Sequence, residues 1–186
     1  MDDYNCGVRH DPRQMLVRQL RGAYSGELAA GYAYHGHWRS VKDPDERARI
    51  HQIEDEEWHH RELVGGMLRD LGGKPSPVRE AIFWIIGHTI AGLCHIGGWF
   101  FPMYGAGRLE RGNIVEYEEA AQFARACGRE DFIDCLLTMA EVEWEHELYF
   151  RTKAAGHGLA RIIPLWDPAP PRETIRARFA AEERVA

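Results

Sequence analysis

The chain has 186 residues, of which 45% are hydrophobic and 28% charged, with a formal net charge of −6. That length predicts one domain with a substantial core. The negative balance, with Arg and Lys scattered rather than gathered in a stripe, argues against nucleic acid as a partner. Cys6, Cys94, Cys127 and Cys135 have no Cys-x-x-Cys spacing and follow no signal-peptide pattern, so they read as reduced thiols of a cytoplasmic protein.

Nearly every segment has a helical pattern. The first helix is predicted from Pro12 to Val41. The second opens at Asp43-Pro44-Asp45-Glu46, with Asp43 as N-cap, Pro44 at the first helical position and Glu46 completing a capping box, and it ends at Leu71 before Gly72-Gly73. Ser76-Pro77 opens a third helix that leads into a run without Asp, Glu, Lys or Arg from Ala81 to Gly107. The run is long enough to span a bilayer, but it contains His88, His95, Pro102 and several glycines. It therefore reads as a core helix with a face for a membrane or an apolar ligand. Further helices are predicted over Met103–Ala126 and Glu130–Ala155. "RIIPLWDPAPP" reads as extended, and a short polar helix follows near Glu173–Glu183. No stretch alternates as a strand does. The expected fold is all-α, divided into a helical bundle over 1–156 and a tail over 157–186.

The chemistry lies in a doubled Glu-x-x-His. "EVEWEHELYF" and "IEDEEWHHREL" align on their tryptophans, which pairs Glu143 with Glu57 and His146 with His60. Residues three or four apart share a helix face. The face through Glu143 and His146 otherwise holds Phe132, Leu136, Met139 and Phe150; the one through Glu57 and His60 holds Ile50, Ile53, Val64, Met67 and Leu71. An ionisable pair centred in an apolar stripe needs a partner, and a metal ion is a good one.

Di-iron carboxylate bundles use one Glu from each of two helices and a Glu-x-x-His from each of the other two. Carboxylates suit hard divalent ions and can bridge them, while imidazole is a neutral terminal ligand. In the first helix Glu27 is the only acidic residue between Arg13 and Val41. In the fourth, the face of Glu110 carries Met103, Ala106, Ile114, Tyr117, Ala121 and Ala124, all uncharged, so Glu110 is preferred and Glu116 is kept as a substitute. Among Tyr24, Tyr34 and Tyr117, one close to the metals could donate a hydrogen bond there; Tyr24 and Tyr117 are taken as the candidate catalytic tyrosines. Glu54, Asp55, Glu56, Glu118, Glu119, Glu141, Glu145 and Glu147 read as a solvated face. His59 reads as solvated, His35, His37 and His51 as surface or near-site residues, and His88 and His95 as core histidines.

From Val17 to Phe150 the chain resembles the demethoxyubiquinone hydroxylase family of ferritin-like di-iron proteins. The likeness lies in "SGELAAGYAYHGHW", "EDEEWHHREL", "KPSPVREAIFWIIGHTIAGL", "PMYGAGRLE" and "EVEWEHELYF". The resemblance implies a ferritin-like four-helix bundle with an additional apolar helix in the long crossover, and metal ligands at Glu27, Glu57, His60, Glu110, Glu143 and His146. It also implies two iron ions, with manganese able to use the same ligands, and O2-dependent hydroxylation of an aromatic or quinone-like apolar substrate. NADH or a reduced quinone would supply electrons. Peripheral contact with the inner face of the membrane and a homo-oligomer are further expectations. The alternative is an iron-oxidising or peroxide-consuming protein of the ferritin or rubrerythrin kind.

Overall fold

The computed structural model describes residues 11–183, which form six α-helices and a 3-10 turn with no strand among them. The chain is all-α, as its patterning predicts. Helix α1 spans Pro12–Ser40, α2 Pro44–Asp70, α3 Pro77–Ile96, α4 Phe100–Ala126, α5 Glu130–Ala155 and α6 Glu173–Glu183. The starts follow the capping chemistry. Asp11 and Ser76 accept from the first-turn amides of α1 and α3, and each is followed by proline. Asp43 Oδ1 accepts from Asp45 N and Glu46 N, both at 3.0 Å. The reciprocal half of that capping box does not form. The Glu46 carboxylate turns away to Trp99 Nε1 at 2.8 Å and Lys153 Nζ at 2.9 Å, which ties α2 to α4 and α5.

Short connections make α1 and α2 one antiparallel hairpin and α4 and α5 another, and α1 packs on α4 to join them. The core then falls into two apolar clusters. One draws on the start of α1 (Leu16, Leu20), the end of α2 (Val64, Leu68), the end of α4 (Ile114, Ala121) and the start of α5 (Leu136, Met139). The other draws on the opposite ends: Tyr34, Val41, Ile50, Ile53, Met103 and Phe150. Glu27, Glu57, Glu110 and Glu143 lie between these clusters on their four helices. The antiparallel pairing brings them to one level of the helical bundle.

Helix α3 departs from the expectation of a core helix. Its only buried residues are Gly87 and Cys94. It crosses α1 backbone to backbone: a Cβ on Gly36 would lie 2.4 Å from the Ala91 Cα, and one on Gly87 2.8 Å from the Ala29 carbonyl oxygen. Small residues take the contact, so the large ones point outward, and Ile82, Trp84, Ile85, Leu93 and Ile96 are exposed. His88 and His95 are exposed as well, not core histidines. The uncharged run is also broken in two. Gly98 adopts φ 72°, left-handed backbone that favours glycine, and α4 begins at Phe100 rather than Met103. No helix among the described residues is long and apolar enough to cross a membrane.

The tail packs on the bundle. After the 3-10 turn Gly158–Arg161, Trp166 lies against Gly107 and donates to Glu147 at 2.7 Å, and Trp144 donates to the Pro170 carbonyl at 2.8 Å. Ile175 of α6 is buried in the first cluster, and Arg176 bonds Asp134 and Glu141 on α5. Cys94, Cys127 and Cys135 are free thiols, while Cys6 lies outside the described residues.

Candidate metal centre

The six residues singled out by spacing converge. Glu57, Glu143 and His146 are fully buried, and Glu27, His60 and Glu110 nearly so. They form two overlapping groups, Glu27–Glu57–His60–Glu143 and Glu57–Glu110–Glu143–His146. Within each group, one ligand atom per residue can be chosen so that all lie within 4.8 Å of one another. Glu57 and Glu143 belong to both groups, the place of carboxylates able to bridge two positions. Of the seven buried side-chain nitrogen and oxygen atoms without a hydrogen-bond partner among the described residues, five are here: Glu27 Oε2, both Glu57 oxygens, Glu143 Oε2 and His146 Nδ1. Some of them face one another as ion pairs without hydrogen-bond geometry, His146 Nδ1 with Glu57 Oε1 and Glu143 Oε2, and a buried polar atom left without a hydrogen bond costs about 1–3 kcal/mol. A cation ligated by several of them would offset that cost.

The electrostatics agree. Burial, followed by the repulsion of neighbouring glutamates, raises the carboxyls of Glu27 and Glu110 well above the ordinary range. Glu57 is pushed up to about 8 by burial and by Glu143 and Glu110. Glu143 goes the other way. Burial opposes its ionisation, but His146 and His60 outweigh burial and hold it ionised. The ring Nδ1 of His60 is 2.9 Å from Glu143 Oε1, and that of His146 is 3.2 Å from Glu57 Oε1 and 3.5 Å from Glu143 Oε2. Both imidazoles are thereby raised despite burial.

Around this set lies a ring of partners. The Tyr34 hydroxyl donates to Glu110 Oε1 and the Tyr117 hydroxyl to Glu27 Oε1. Asn113 Nδ2 donates to Glu110 Oε2 at 2.8 Å. Tyr117 is where a site tyrosine was expected, but Tyr24 is not: its ring lies under the Arg61 guanidinium at 3.6 Å, beside Gly65. Tyr34 takes that place. Glu110 is in the cluster and Glu116 is exposed, in line with the face assignment.

Three glutamates read as solvated are engaged in the interior. Glu56 accepts from His146 Nε2 at 2.6 Å and is braced by Arg49 at 3.1 Å and Gln52 at 2.8 Å. Burial opposes its ionisation, but the His146 contact dominates and draws Glu56 down to about 2. Glu54 is buried beneath Trp38 Nε1 and His35 Nδ1, and Glu147 beneath Trp166. His37, read as a surface or near-site residue, is buried beside Tyr34 and Phe150, and burial lowers its pKa to about 4. His51 and His59 are exposed. A signal for Glu56 was present in Arg49 and Gln52, seven and four residues before it on the same face.

Fold and site together define an all-α helical bundle with a buried Glu/His cluster compatible with a metal centre. Comparison with family models, with curated proteins and with solved structures found no match for this chain.

Proposed function

We propose that the chain is a ferritin-like di-iron protein that uses O2 to hydroxylate an aromatic or quinone-like apolar substrate, with electrons from NADH or a reduced quinone. The observation that carries this reading is the convergence of four carboxylates and two imidazoles, with unmatched atoms, between two apolar clusters. Four carboxylates and two divalent cations neutralise one another, which makes two ions the natural count for so buried a site. Glu57 and Glu143 would serve both positions, Glu27 and His60 would complete one, and Glu110 and His146 the other. Manganese would suit the same ligands.

Bound ferrous ions would supply the O2 chemistry. The chain's own residues would do the rest. Tyr34 and Tyr117 hold one oxygen each of Glu110 and Glu27 and fix how those carboxylates face inward. Ile53, Met103, Phe150, Ile114 and Met139 keep water from the cluster. The exposed apolar row on α3 favours a hydrophobic substrate, delivered at a membrane surface, over a soluble iron store of the ferritin or rubrerythrin kind. Anaerobic iron(II) loading followed by elemental analysis tests the centre, with about two irons per chain expected. Oxygen uptake with NADH or a reduced quinone tests the activity. Protein that binds iron yet consumes oxygen equally with and without an aromatic acceptor would move the assignment to the iron-oxidising alternative.

A further inference from the structure

The two hairpins repeat one another around the cluster, and the repeat is broken on one side only. Glu27 matches Glu110, Glu57 matches Glu143, His60 matches His146 and Tyr34 matches Tyr117 in sequence position along their helices. The tyrosine contacts keep that symmetry, since each hydroxyl donates to the opposite carboxylate. Two other supports do not. Glu56 backs the outer nitrogen of His146 at 2.6 Å, and Arg49 and Gln52 brace it. The residue matching Glu56 is Val142, whose side chain has no hydrogen-bonding group, and the His60 ring is hydrogen-bonded among the described residues at Nδ1, with Glu143 at 2.9 Å. Asn113 donates to Glu110 Oε2, whereas the residue matching it is Ala30, and Glu27 Oε2 is unmatched. Both supports fall on the same half.

We propose that the two metal positions are unequal: the one formed by Glu57, Glu110, Glu143 and His146 is the preorganised, high-affinity position, and the one formed by Glu27, Glu57, His60 and Glu143 is the weaker, exchangeable one. A carboxylate hydrogen-bonded to the far nitrogen of a ligating imidazole fixes its tautomer and ring orientation and strengthens it as a donor, and losing such a partner costs 10–100-fold in metal affinity. A carboxylate held at both oxygens loses less freedom on binding than one held at a single oxygen. Glu27, with a free Oε2, keeps the freedom to change its coordination. The first ion therefore enters on the Glu110–His146 side, and a second ion, of the same or another metal, is held on the Glu27–His60 side. The inference rests on the metal reading above but not on the oxygen chemistry.

The test is an anaerobic titration of the metal-free full chain with iron(II) against a competing chelator, with folding checked by circular dichroism. Wild type is expected to bind two ions in two steps. His60→Ala should keep the tighter step within about threefold, whereas His146→Ala should weaken it at least about tenfold. Glu56→Gln, a conservative change at a partly exposed position, should weaken the tighter step by about tenfold and leave the other within about threefold. Electrostatic coupling between two equal positions would instead make His60→Ala and His146→Ala behave alike. That result, or a tighter step untouched by Glu56→Gln, would overturn the inequality while leaving the centre standing. Wild-type protein that binds fewer than two ions would overturn the two-ion centre and the inequality with it.

Discussion

Tyr34 and Tyr117 are exchanged across the bundle: each lies seven residues after a cluster glutamate on its own helix and donates to the glutamate of the other helix. The two contacts strap α1 to α4 at the level of the cluster. Replacing either tyrosine by phenylalanine leaves a buried carboxyl oxygen without its donor, a loss of about 1–3 kcal/mol. Tyr34→Phe and Tyr117→Phe should each lower the stability of the metal-free protein by that amount in chemical denaturation, while metal content stays near wild type because neither hydroxyl is needed as a ligand. Variants as stable as wild type would show that the hydroxyls do not support the carboxylates.

Shared and unshared ligands should differ in stoichiometry. Glu57 and Glu143 serve both groups, so Glu57→Ala and Glu143→Ala should abolish loading of both ions. Glu27 and Glu110 each serve one, so Glu27→Ala and Glu110→Ala should each cost one ion. Glu116→Gln, at an exposed position, should retain both. Iron analysis after gel filtration reads these outcomes directly. Full loading in Glu57→Ala would break the assignment of the shared residues.

The metal-free protein should be most stable at mildly acidic pH. Glu27, Glu57 and Glu110 are raised by burial, so folding favours their protonated forms. A raised folded-state pKa gives stability that is full below the unfolded value of 4.5 and lost as pH climbs through the folded value, about 8 for Glu57. The loss is about 1.4 kcal/mol per pH unit for each extra proton bound by the folded state. The raised imidazoles of His60 and His146 act in the same direction above 6.5. Glu143 and Glu56 are depressed and set the acid limit, their contribution being lost as pH falls below 4.5. Cations replace the extra protons, so the stabilisation by bound metal should grow from pH 6 to pH 8. Thermal melts of metal-free and loaded protein across that range check this. A metal-induced shift independent of pH would mean that the carboxyls are already ionised without metal.

Which face of each cluster-bearing helix turns inward was legible because it rests on a period: Glu57 and His60, or Glu143 and His146, can meet only if their apolar stripes are buried together. The choice of Glu110 over Glu116 followed from the same rule. Arg49 and Gln52 mark Glu56 as the end of a polar row on α2, but its contact with His146 was not legible, because it depends on how α5 is placed against α2. Tyr34 and Tyr24 both lie on α1, and only the pairing of α1 with α4 decides which one reaches a carboxylate. The exposure of α3 was hidden for another reason. An uncharged run looks like core, but here glycine and alanine make the contact with α1 and the bulky residues face out.

That outward row is the basis of the last prediction. Ile85 is 58% exposed, Phe101 56% and Ile96 80%, with Trp84 and Leu93 near them in sequence. These residues fall in the stretch 81–107, which carries no Asp, Glu, Lys or Arg, and exposed apolar side chains gathered there on α3 and at the start of α4 offer an interaction face. Phe100, in contrast, is buried and packs near His157 and Tyr104, so it belongs to the fold rather than to that face. Burying an isoleucine or phenylalanine side chain contributes about 1.5–3 kcal/mol when complete, and insertion into a bilayer interface realises part of it. Ile85→Ser with Phe101→Ser should therefore lower binding to phospholipid vesicles at least about tenfold, equivalent to about 1.4 kcal/mol. Iron content should stay unchanged, because neither residue belongs to the cluster. Activity on a hydrophobic acceptor presented in vesicles should fall in parallel, and activity on a water-soluble aromatic should not. Equal vesicle binding by wild type and variant would remove the membrane from the proposed function, and self-association lost in the double variant would assign the face to a second copy of the chain.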